Sequence, residues 1–237
     1  MVWERPEPPN RPAPSPLSRD SIVRAAIDLA DADGLPAVSL RKVAAALNAG
    51  PMRLYGYLST KEELLDLMVD AVYGEIMNDD PGGDDWRAAL IAIATATRAA
   101  ANRHEWFIDL VGGRPTLGPN AFAYLEAALS TLDGSAGFTD MDAVMQAVGT
   151  VLAYVIGAIR NEITERRAER TTGMTEQQWQ NASEGYVARM LTTGKFPTLT
   201  RVTVEATHPC PETTFAVGLN YVLDGIATHI PTDTSPS

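Results

Sequence analysis

Hydrophobic residues recur along most of the chain at the spacing of amphipathic α-helices, which predicts an all-α protein. Ser18 and Gly34 bound the first helical segment, as an N-cap and a C-terminal stop. Its apolar positions follow the i, i+3, i+4, i+7 spacing and are Ile22, Ala25, Ala26 and Leu29. The nearest approach to strand-like alternation is at residues 200–206, where we expect a loop.

Two short helices come next, with a tight break between them. Ser39 is placed to cap the first of the pair, and Asn48, which tolerates a left-handed backbone, marks its end. Gly50 and Pro51 restart the chain, and the second short helix extends to about residue 57. This layout of helix, three- to four-residue turn and helix is that of a helix-turn-helix. In such a unit the second helix lies in the major groove of DNA.

A longer fourth helix is predicted to start at the capping-box pattern formed by Thr60 and Glu63. The sequence Asp-Asp-Pro-Gly-Gly at residues 79–83 then breaks the helical pattern and marks a domain boundary. Beyond this boundary we expect five or six more helices, over residues 86–103, 104–111, 119–132, 140–170, 175–192 and 213–229.

The predicted architecture is an N-terminal three-helix helix-turn-helix domain followed by a larger helical domain. The first spans residues 17–78 and the second spans residues 84–230. Residues 1–16 hold six prolines without periodicity and are expected to form a disordered arm. Residues 231–237 are expected to be a tail.

Two helices of the second domain are apolar over more than one face, which predicts a homodimer. On the helix over 140–170 the main stripe is Val144, Ala147, Val148, Val151, Leu152, Val155 and Ile159, with Met145, Tyr154 and Ile156 beside it. The last helix carries Phe215, Leu219, Val222 and Ile226, plus Val217 and Tyr221. Such helices need two partners, the core and a second surface. The alternative is a helix buried in the centre of a monomer.

The charge distribution changes how the net charge of −11 is interpreted. Residues 1–61 carry 8 Lys and Arg against 6 Asp and Glu, whereas the remainder carries 11 against 24. Residues 34–61 contain no acid at all. Because phosphate contacts need only local positive charge, an acidic protein with this window can still bind DNA. A chance absence of acids in this window is the plain alternative.

Other features of the composition favour a cytoplasmic protein. A single cysteine, Cys210, precludes an intramolecular disulfide and fits a reducing compartment. We expect neither a signal peptide nor a membrane-spanning helix. The three histidines are far apart, and no HExxH, GxSxG or phosphate-binding glycine loop occurs, so we expect no enzyme and no cofactor. An all-α enzyme, or a helical interaction protein without DNA, remains the competing interpretation.

The candidate DNA contacts lie on and around the second helix of the unit. Arg53 has the bidentate donor fork that suits guanine O6 and N7, and Met52 and Tyr57 are suited to apolar base contacts. Leu54 and Leu58 are expected to point inward. The complete candidate set is Arg41, Lys42, Pro51, Met52, Arg53, Tyr55, Gly56, Tyr57, Thr60 and Lys61.

The stretch over residues 17–70 resembles the N-terminal domain of the tetracycline-repressor (TetR) family. The residues that carry the resemblance are Ile22-Val23-Arg24-Ala25-Ala26, Asp33-Gly34, Ser39-Leu40-Arg41-Lys42-Val43-Ala44, Leu54-Tyr55 and Lys61-Glu62-Glu63-Leu64-Leu65. The resemblance implies that Tyr55 and Lys61 contact phosphates. The chain departs from the family at Asn48, Gly56 and Tyr57, which affects the expected operator sequence and not the docking mode.

The second half, with Gly113-Arg114-Pro115-Thr116 and a final apolar helix, is similar to the tetracycline-repressor branch itself. The resemblance implies a small-molecule effector that moves the two DNA-reading heads apart. It places the effector among the fifth to eighth helices, with the candidate lining His104, Trp106, Phe107, Leu110, Phe122, Leu125, Met145, Val148 and Leu152. The positions that hold a magnesium–tetracycline chelate in the prototype are Leu110 and Asn161 here, so we expect a different, partly apolar effector and no metal.

Overall fold

The computed structural model describes residues 1–8, 17–78, 85–135 and 138–229, and it contains helices and turns but no strand within these ranges. This agrees with the predicted all-α class. The N-terminal head is built from three helices and the start of a fourth: α1 (Arg19–Asp33), α2 (Leu40–Ala46), α3 (Pro51–Leu54) and α4 (Lys61–Asn78).

Hydrogen bonds and backbone angles confirm the predicted caps and ends of α1 and α2, whereas α3 ends at Leu54, before the predicted end near residue 57. Ser18 Oγ accepts a hydrogen bond from the Ser21 N–H at 3.1 Å, and Ser39 Oγ accepts one from the Lys42 N–H at 3.3 Å. Gly34 ends α1 with a φ of 79°, and Asn48 has a φ of 49° in the turn after α2. These turns are tight because each uses a residue that tolerates positive φ.

The long helix α4 belongs to both halves of the molecule. It packs against α1 on the head side, and against α5 (Trp86–Arg103), α6 (Phe107–Leu110) and α7 (Pro119–Ser130) on the other side. Its buried positions include Leu64, Met68, Val72 and Ile76, which follow a helical spacing of four. The head and the second domain therefore share one continuous helix.

The second domain is organised around α8 (Met141–Thr172), which packs against α5, α6, α7 and the last helix, α11 (Pro211–Ala227). Its inner stripe is fully buried and comprises Val144, Ala147, Val148, Val151, Val155, Ile159 and Ile163. Between these two helices the chain forms α9 (Glu176–Leu191) and α10 (Pro197–Glu205), neither of which buries a single residue. We call α9 and α10 together the arm.

The expectation of a loop at residues 200–206 is wrong, because this stretch lies in α10. Pro197 occupies the first turn, where its missing N–H costs nothing. Arg201 pairs with Glu205 at 2.9 Å across one helical turn. The β-branched residues Val202, Thr203 and Val204 raised the strand-like signal, but they have no neighbouring strand to pair with among the described residues.

The first eight residues also differ from the prediction, which was a disordered N-terminal segment over residues 1–16. A short 3-10 helix covers Val2–Glu4, and Val2 is buried in the core cluster with an exposure of 3%. The apolar side chains of Val2 and Trp3 pack against the core, which outweighs the effect of the prolines that follow them. Residues 9–16, the predicted boundary at 79–83 and the tail over 231–237 lie outside the described residues.

One described helix, α8, is long and apolar enough for a membrane span by length and composition alone, with a mean hydropathy of 1.6 over its best window. A core helix of a globular protein meets the same criterion. The buried stripe of α8 packs against four other helices, so its apolar character is accounted for in part by the core.

Candidate nucleic-acid interface and effector region

The short helix α3 presents a polar and apolar outer surface on a rigid apolar base. Leu54 and Leu58 are completely buried, as the sequence predicts, and they anchor the helix in the head. Met52 is 79% exposed, Tyr55 is 50% exposed, and Arg53 is exposed between them. Because α3 follows α2 after a short turn, the pair has the helix-turn-helix layout, with these side chains on the free face.

Tyr57 is not part of this surface, which corrects the sequence-based expectation. Its ring is 6% exposed, and its hydroxyl donates a hydrogen bond of 2.6 Å to the carbonyl oxygen of Leu17. The α-helical turns end at Leu54, and the following turn directs Tyr57 inward against the start of α1. Tyr57 therefore holds the turn after α3 against the start of α1 and is not part of the exposed surface.

Basic and hydroxyl groups surround α3 on the same part of the head. Arg41 and Lys42 are exposed on the first turn of α2. Thr60 and Lys61 stand at the start of α4, where Thr60 Oγ1 accepts a hydrogen bond of 3.1 Å from the Glu63 N–H. This bond confirms half of the predicted capping box, whereas the Glu63 carboxylate accepts from the Ser59 N–H at 2.6 Å instead of from Thr60.

The N-terminal residues 1–8, which we call the strap, pack against the head beside this surface. Arg5 forms two hydrogen bonds with the Glu63 carboxylate, of 3.1 and 2.8 Å, and these bonds together with the Ser59 N–H lower the pKa of Glu63. Pro8 lies so close to Gly56 that a Cβ there would approach Pro8 Cγ to 3.1 Å. Gly56 thus serves the packing of the strap, while Pro51 and Gly56 remain exposed at the edge of α3.

Two predicted effector residues, His104 and Trp106, instead join the second domain to the head. Their side chains are 8% and 2% exposed. His104 contacts Asp31 of α1 and Glu75 of α4, and the Trp106 indole N–H donates to Asp31 Oδ1 at 2.7 Å. The sequence alone did not identify this junction, because Asp31 and Glu75 are distant in the chain from His104.

The other predicted effector residues do not line one cavity in the single chain. Phe107 and Val148 are core residues with 1% exposure each, and Leu152 is half-buried. Leu110 lines a cleft of about 510 Å³ between the strap, α4 and the loop after α6. Phe122, Leu125 and Met145 are 57%, 39% and 60% exposed on the outer side of α7 and α8. No group of three or more metal-ligating side chains occurs among the residues that the structure describes.

Large apolar side chains are exposed on four helices of the second domain. On α8 and α11 these are Met141, Met145, Val217 and Tyr221, the last with an exposure of 71%. The arm adds Trp179, Tyr186, Val187, Met190, Leu199 and Val202. Exposed apolar patches of this kind are typical of surfaces that bind another molecule.

Sequence reasoning missed two polar residues, Asp70 and Arg160, whose hydrogen bonds join separate helices. Asp70 is 5% exposed and accepts a hydrogen bond of 2.9 Å from the Ala121 N–H at the start of α7. Burial raises the pKa of Asp70, although hydrogen bonds from Ala121 and Asn120 oppose this effect. Arg160 of α8 donates to the carbonyl oxygens of Ile108 and Val111 at 3.0 and 3.1 Å. The sequence did contain one signal for Asp70, because a carboxylate within the apolar stripe of a helix indicates a buried polar contact.

Comparison with known families gives a match over most of the chain. Residues 78–230 match the model of the tetracyclin repressor-like C-terminal domain. The HTH-type transcriptional repressor DrrR1 of Streptomyces coeruleorubidus is 37% identical over 227 residues, which are 95% of this chain and 83% of that protein. The class A tetracycline repressor protein from transposon 1721 in Escherichia coli is 27% identical over 215 residues, covering 89% and 91% of the two chains.

Solved structures give the same fold. Apo ActR from Streptomyces coelicolor superposes with a TM-score of 0.77 at 24% identity and covers 92% of this chain and 98% of its own. The complex of ActR with actinorhodin superposes with a TM-score of 0.76, also at 24% identity, over the same shares of the two chains.

Proposed function

This chain belongs to the tetracycline-repressor family of transcriptional regulators, and from that premise we propose that it is a homodimeric repressor. In this proposal α3 reads a near-palindromic operator, and a small, partly apolar effector releases the protein from it. The observation that carries the proposal is the exposed surface of α3, with Met52, Arg53 and Tyr55 held outward by the buried Leu54 and Leu58.

Each residue on this surface has a role set by its chemistry. Arg53 reads a guanine through its planar donor fork, and Met52 contacts a thymine methyl group. Tyr55, Thr60 and Lys61 bind phosphates, which fixes the position of the helix in the groove without reading sequence. Arg41 and Lys42 add phosphate contacts from α2. The absence of acids between residues 34 and 61 keeps this face free of charge repulsion with DNA.

Two copies associate through the outer faces of α8 and α11. Support comes from Met145, Val217 and Tyr221, which remain exposed although their helices also bury a full core stripe. Gly149 and Gly157 lie on α8 with nothing within 4 Å of where a Cβ would be, which permits a close approach of another helix. A two-fold dimer places its half-sites roughly 34–36 Å apart on one face of the duplex.

The effector binds against the outer side of α7, where the apolar side chains of Phe122 and Leu125 are exposed. The arm of the second subunit, with its exposed aromatic and aliphatic residues, supplies the cover that the single chain lacks. Effector binding then shifts the population of dimers toward a spacing of the heads that does not fit the operator. A coupling of about 1–3 kcal/mol is typical of such a shift.

The direct test is a gel-shift titration with duplex DNA from the region flanking the protein's own gene. We expect the wild type to bind this DNA specifically. Arg53→Ala should lose about 1–3 kcal/mol of binding free energy, and its base preference should relax at one position in each half-site. Arg189→Ala, at an exposed arginine of the arm, is the matched control and should bind as the wild type does. Unchanged affinity and base preference for Arg53→Ala would show that another residue reads the operator.

A further inference from the structure

The connection between α3 and α4 carries proposed phosphate contacts but belongs to no helix. It covers residues 55–60 and follows a helix of only four residues, Pro51–Leu54. Tyr55 and Thr60 lie within it, and Lys61 comes directly after it as the first residue of α4. A helix of one turn is marginal on its own, so the placement of this connection depends on what packs against it.

The strap contacts this connection at two points. Arg5 donates to both carboxylate oxygens of Glu63, at 3.1 and 2.8 Å, and the same carboxylate accepts from the Ser59 N–H at 2.6 Å. Nearer to α3, Pro8 lies against Gly56, where a Cβ would come within 3.1 Å of the Pro8 Cγ. The side chain of Glu63 therefore joins the strap to the backbone of the connection.

The strap is itself fixed to the protein on both sides of Arg5. Before Arg5, the side chain of Val2 is buried in the core cluster. At Arg5 and after it, the guanidinium of Arg19 on α1 donates to the Arg5 carbonyl oxygen at 2.8 Å, and the Arg19 N–H donates to Glu7 at 3.3 Å. The strap is therefore a fixed element of the head.

The strap has no basic side chain left over for DNA phosphates. Its only basic residue is Arg5, whose guanidinium is bound by Glu63, and its two acids, Glu4 and Glu7, add negative charge. Phosphate contacts depend on local positive charge. A contribution of the strap to DNA binding therefore comes from the position that it gives to its neighbours and not from its own charge.

We propose that Arg5 and Glu63 are a positioning pair, through which the strap holds the connection between α3 and α4 in the arrangement that fits the operator. Neither side chain touches DNA. The pair keeps the Ser59 N–H bound, and so fixes where the residues of the connection meet the phosphates. A segment that is already ordered in the free protein loses less freedom on binding, which strengthens binding. The effect on DNA rests on the proposed function, whereas the ordering of the connection by the strap does not.

The ordering of the connection is tested without DNA, by hydrogen exchange of peptides that cover residues 55–63. Exchange rates report local opening, which should become more frequent when the pair is lost. Glu63→Gln keeps an acceptor for the Ser59 N–H but removes the charge that binds Arg5, and Arg5→Gln removes the other partner. We expect both variants to exchange faster than the wild type over these residues.

Glu62→Gln is the matched control for the exchange experiment, because it removes an exposed acid from the same turn of α4. It should exchange as the wild type does. Exchange at the wild-type rate in both Glu63→Gln and Arg5→Gln would overturn the proposal.

Operator binding gives a result whose sign separates positioning from charge. Electrostatics alone predicts that removing an acid near the DNA-binding face strengthens binding. If Glu63 positions the connection, Glu63→Gln instead weakens binding of the flanking-gene duplex. We expect a loss of about fivefold, the factor that corresponds to the upper end of a surface ion pair's contribution. Glu62→Gln should bind at least as tightly as the wild type. Unchanged or tighter binding by Glu63→Gln would refute the link to DNA.

Arg5→Lys keeps the test decisive if Glu63→Gln does not fold. Lysine retains the positive charge but lacks the planar fork that holds both Glu63 oxygens. We expect Arg5→Lys to bind the duplex more weakly than the wild type, and Arg5→Gln to bind more weakly still. Wild-type binding by Arg5→Lys together with weak binding by Arg5→Gln would assign Arg5 to a direct phosphate contact and overturn the proposal.

The two proposals fail in different ways. If the wild type does not bind this DNA, the proposed function fails, and the exchange experiment still decides whether the strap orders the connection. If the wild type binds and the pair variants bind equally well, the proposed function stands and the positioning role is refuted.

Discussion

The carboxylate of Asp70 on α4 caps the N-terminus of α7 by accepting a hydrogen bond from the Ala121 N–H at 2.9 Å. The residue before α7, Gly118, has no side chain to do this, and a Cβ at Gly118 would overlap the Asp70 carboxyl group. The cap is therefore supplied from another helix. This hydrogen bond joins α4, which extends into the head, to α7, which carries Phe122 and Leu125.

Replacement of Asp70 by alanine should destabilise the fold by about 2 kcal/mol, because it removes the cap and leaves a buried N–H unpaired. Asp70→Asn retains an acceptor and should cost less. Urea denaturation measures both, and Asp66→Ala, at an exposed carboxylate one turn earlier, is the matched control. A loss for Asp66→Ala as large as that for Asp70→Ala would contradict the capping role.

Tyr55 and Tyr57 should respond in opposite ways to the loss of a hydroxyl group. Tyr57→Phe removes the buried hydrogen bond to Leu17 and should lower the free energy of unfolding by about 1 kcal/mol. Tyr55→Phe, at a half-exposed ring, should leave stability unchanged and weaken operator binding through a lost phosphate contact. Thermal unfolding and gel-shift titration of the same two variants check this. Weaker binding by Tyr57→Phe without any loss of stability would place Tyr57 at the DNA after all.

A charge on the outer face of α11 should separate the subunits without unfolding them. Tyr221 is 71% exposed in the single chain, so Tyr221→Glu disturbs no core packing in the monomer. We expect the mass in solution, measured by light scattering, to fall from that of a dimer toward that of a 25.5 kDa monomer. Asp20→Lys, at an exposed position of the head, should keep the mass of the wild type. A dimeric Tyr221→Glu protein with wild-type stability would move the interface elsewhere.

The strap should loosen in acid. Because Arg5 and the Ser59 N–H lower the pKa of Glu63, the bound strap stabilises the fold fully above the ordinary value of 4.5 and loses this effect as pH falls through the lowered one. Arg5→Gln should therefore be less stable than the wild type at pH 6, with the difference shrinking at pH 3.5. Arg201→Gln removes an exposed arginine that pairs only along its own helix, and it should show a smaller loss at pH 6. If both variants lose the same stability at pH 6, the Arg5–Glu63 contact contributes no more to the free energy of unfolding than a surface ion pair does.

The head could be predicted nearly completely from the sequence, because its determinants are local. Ser18, Gly34, Ser39 and Asn48 act within one turn of their own position, through caps and backbone angles. The inward direction of Leu54 and Leu58 likewise follows from the helical pattern. Tyr57 was the exception, because its direction depends on a turn after α3 whose geometry the helical period does not describe.

The sequence by itself determined where most helices begin and end and which faces they bury, since hydrogen bonds and hydrophobic spacing within a few residues decide these features. Tertiary structure alone decided what the isolated polar and aromatic side chains do. His104 meets Asp31 and Glu75, Asp70 caps α7, and Arg5 reaches Glu63 only once helices far apart in the chain are packed together. Periodicity carries no information on such pairs, because it records the side of a helix and not the neighbour that this side meets.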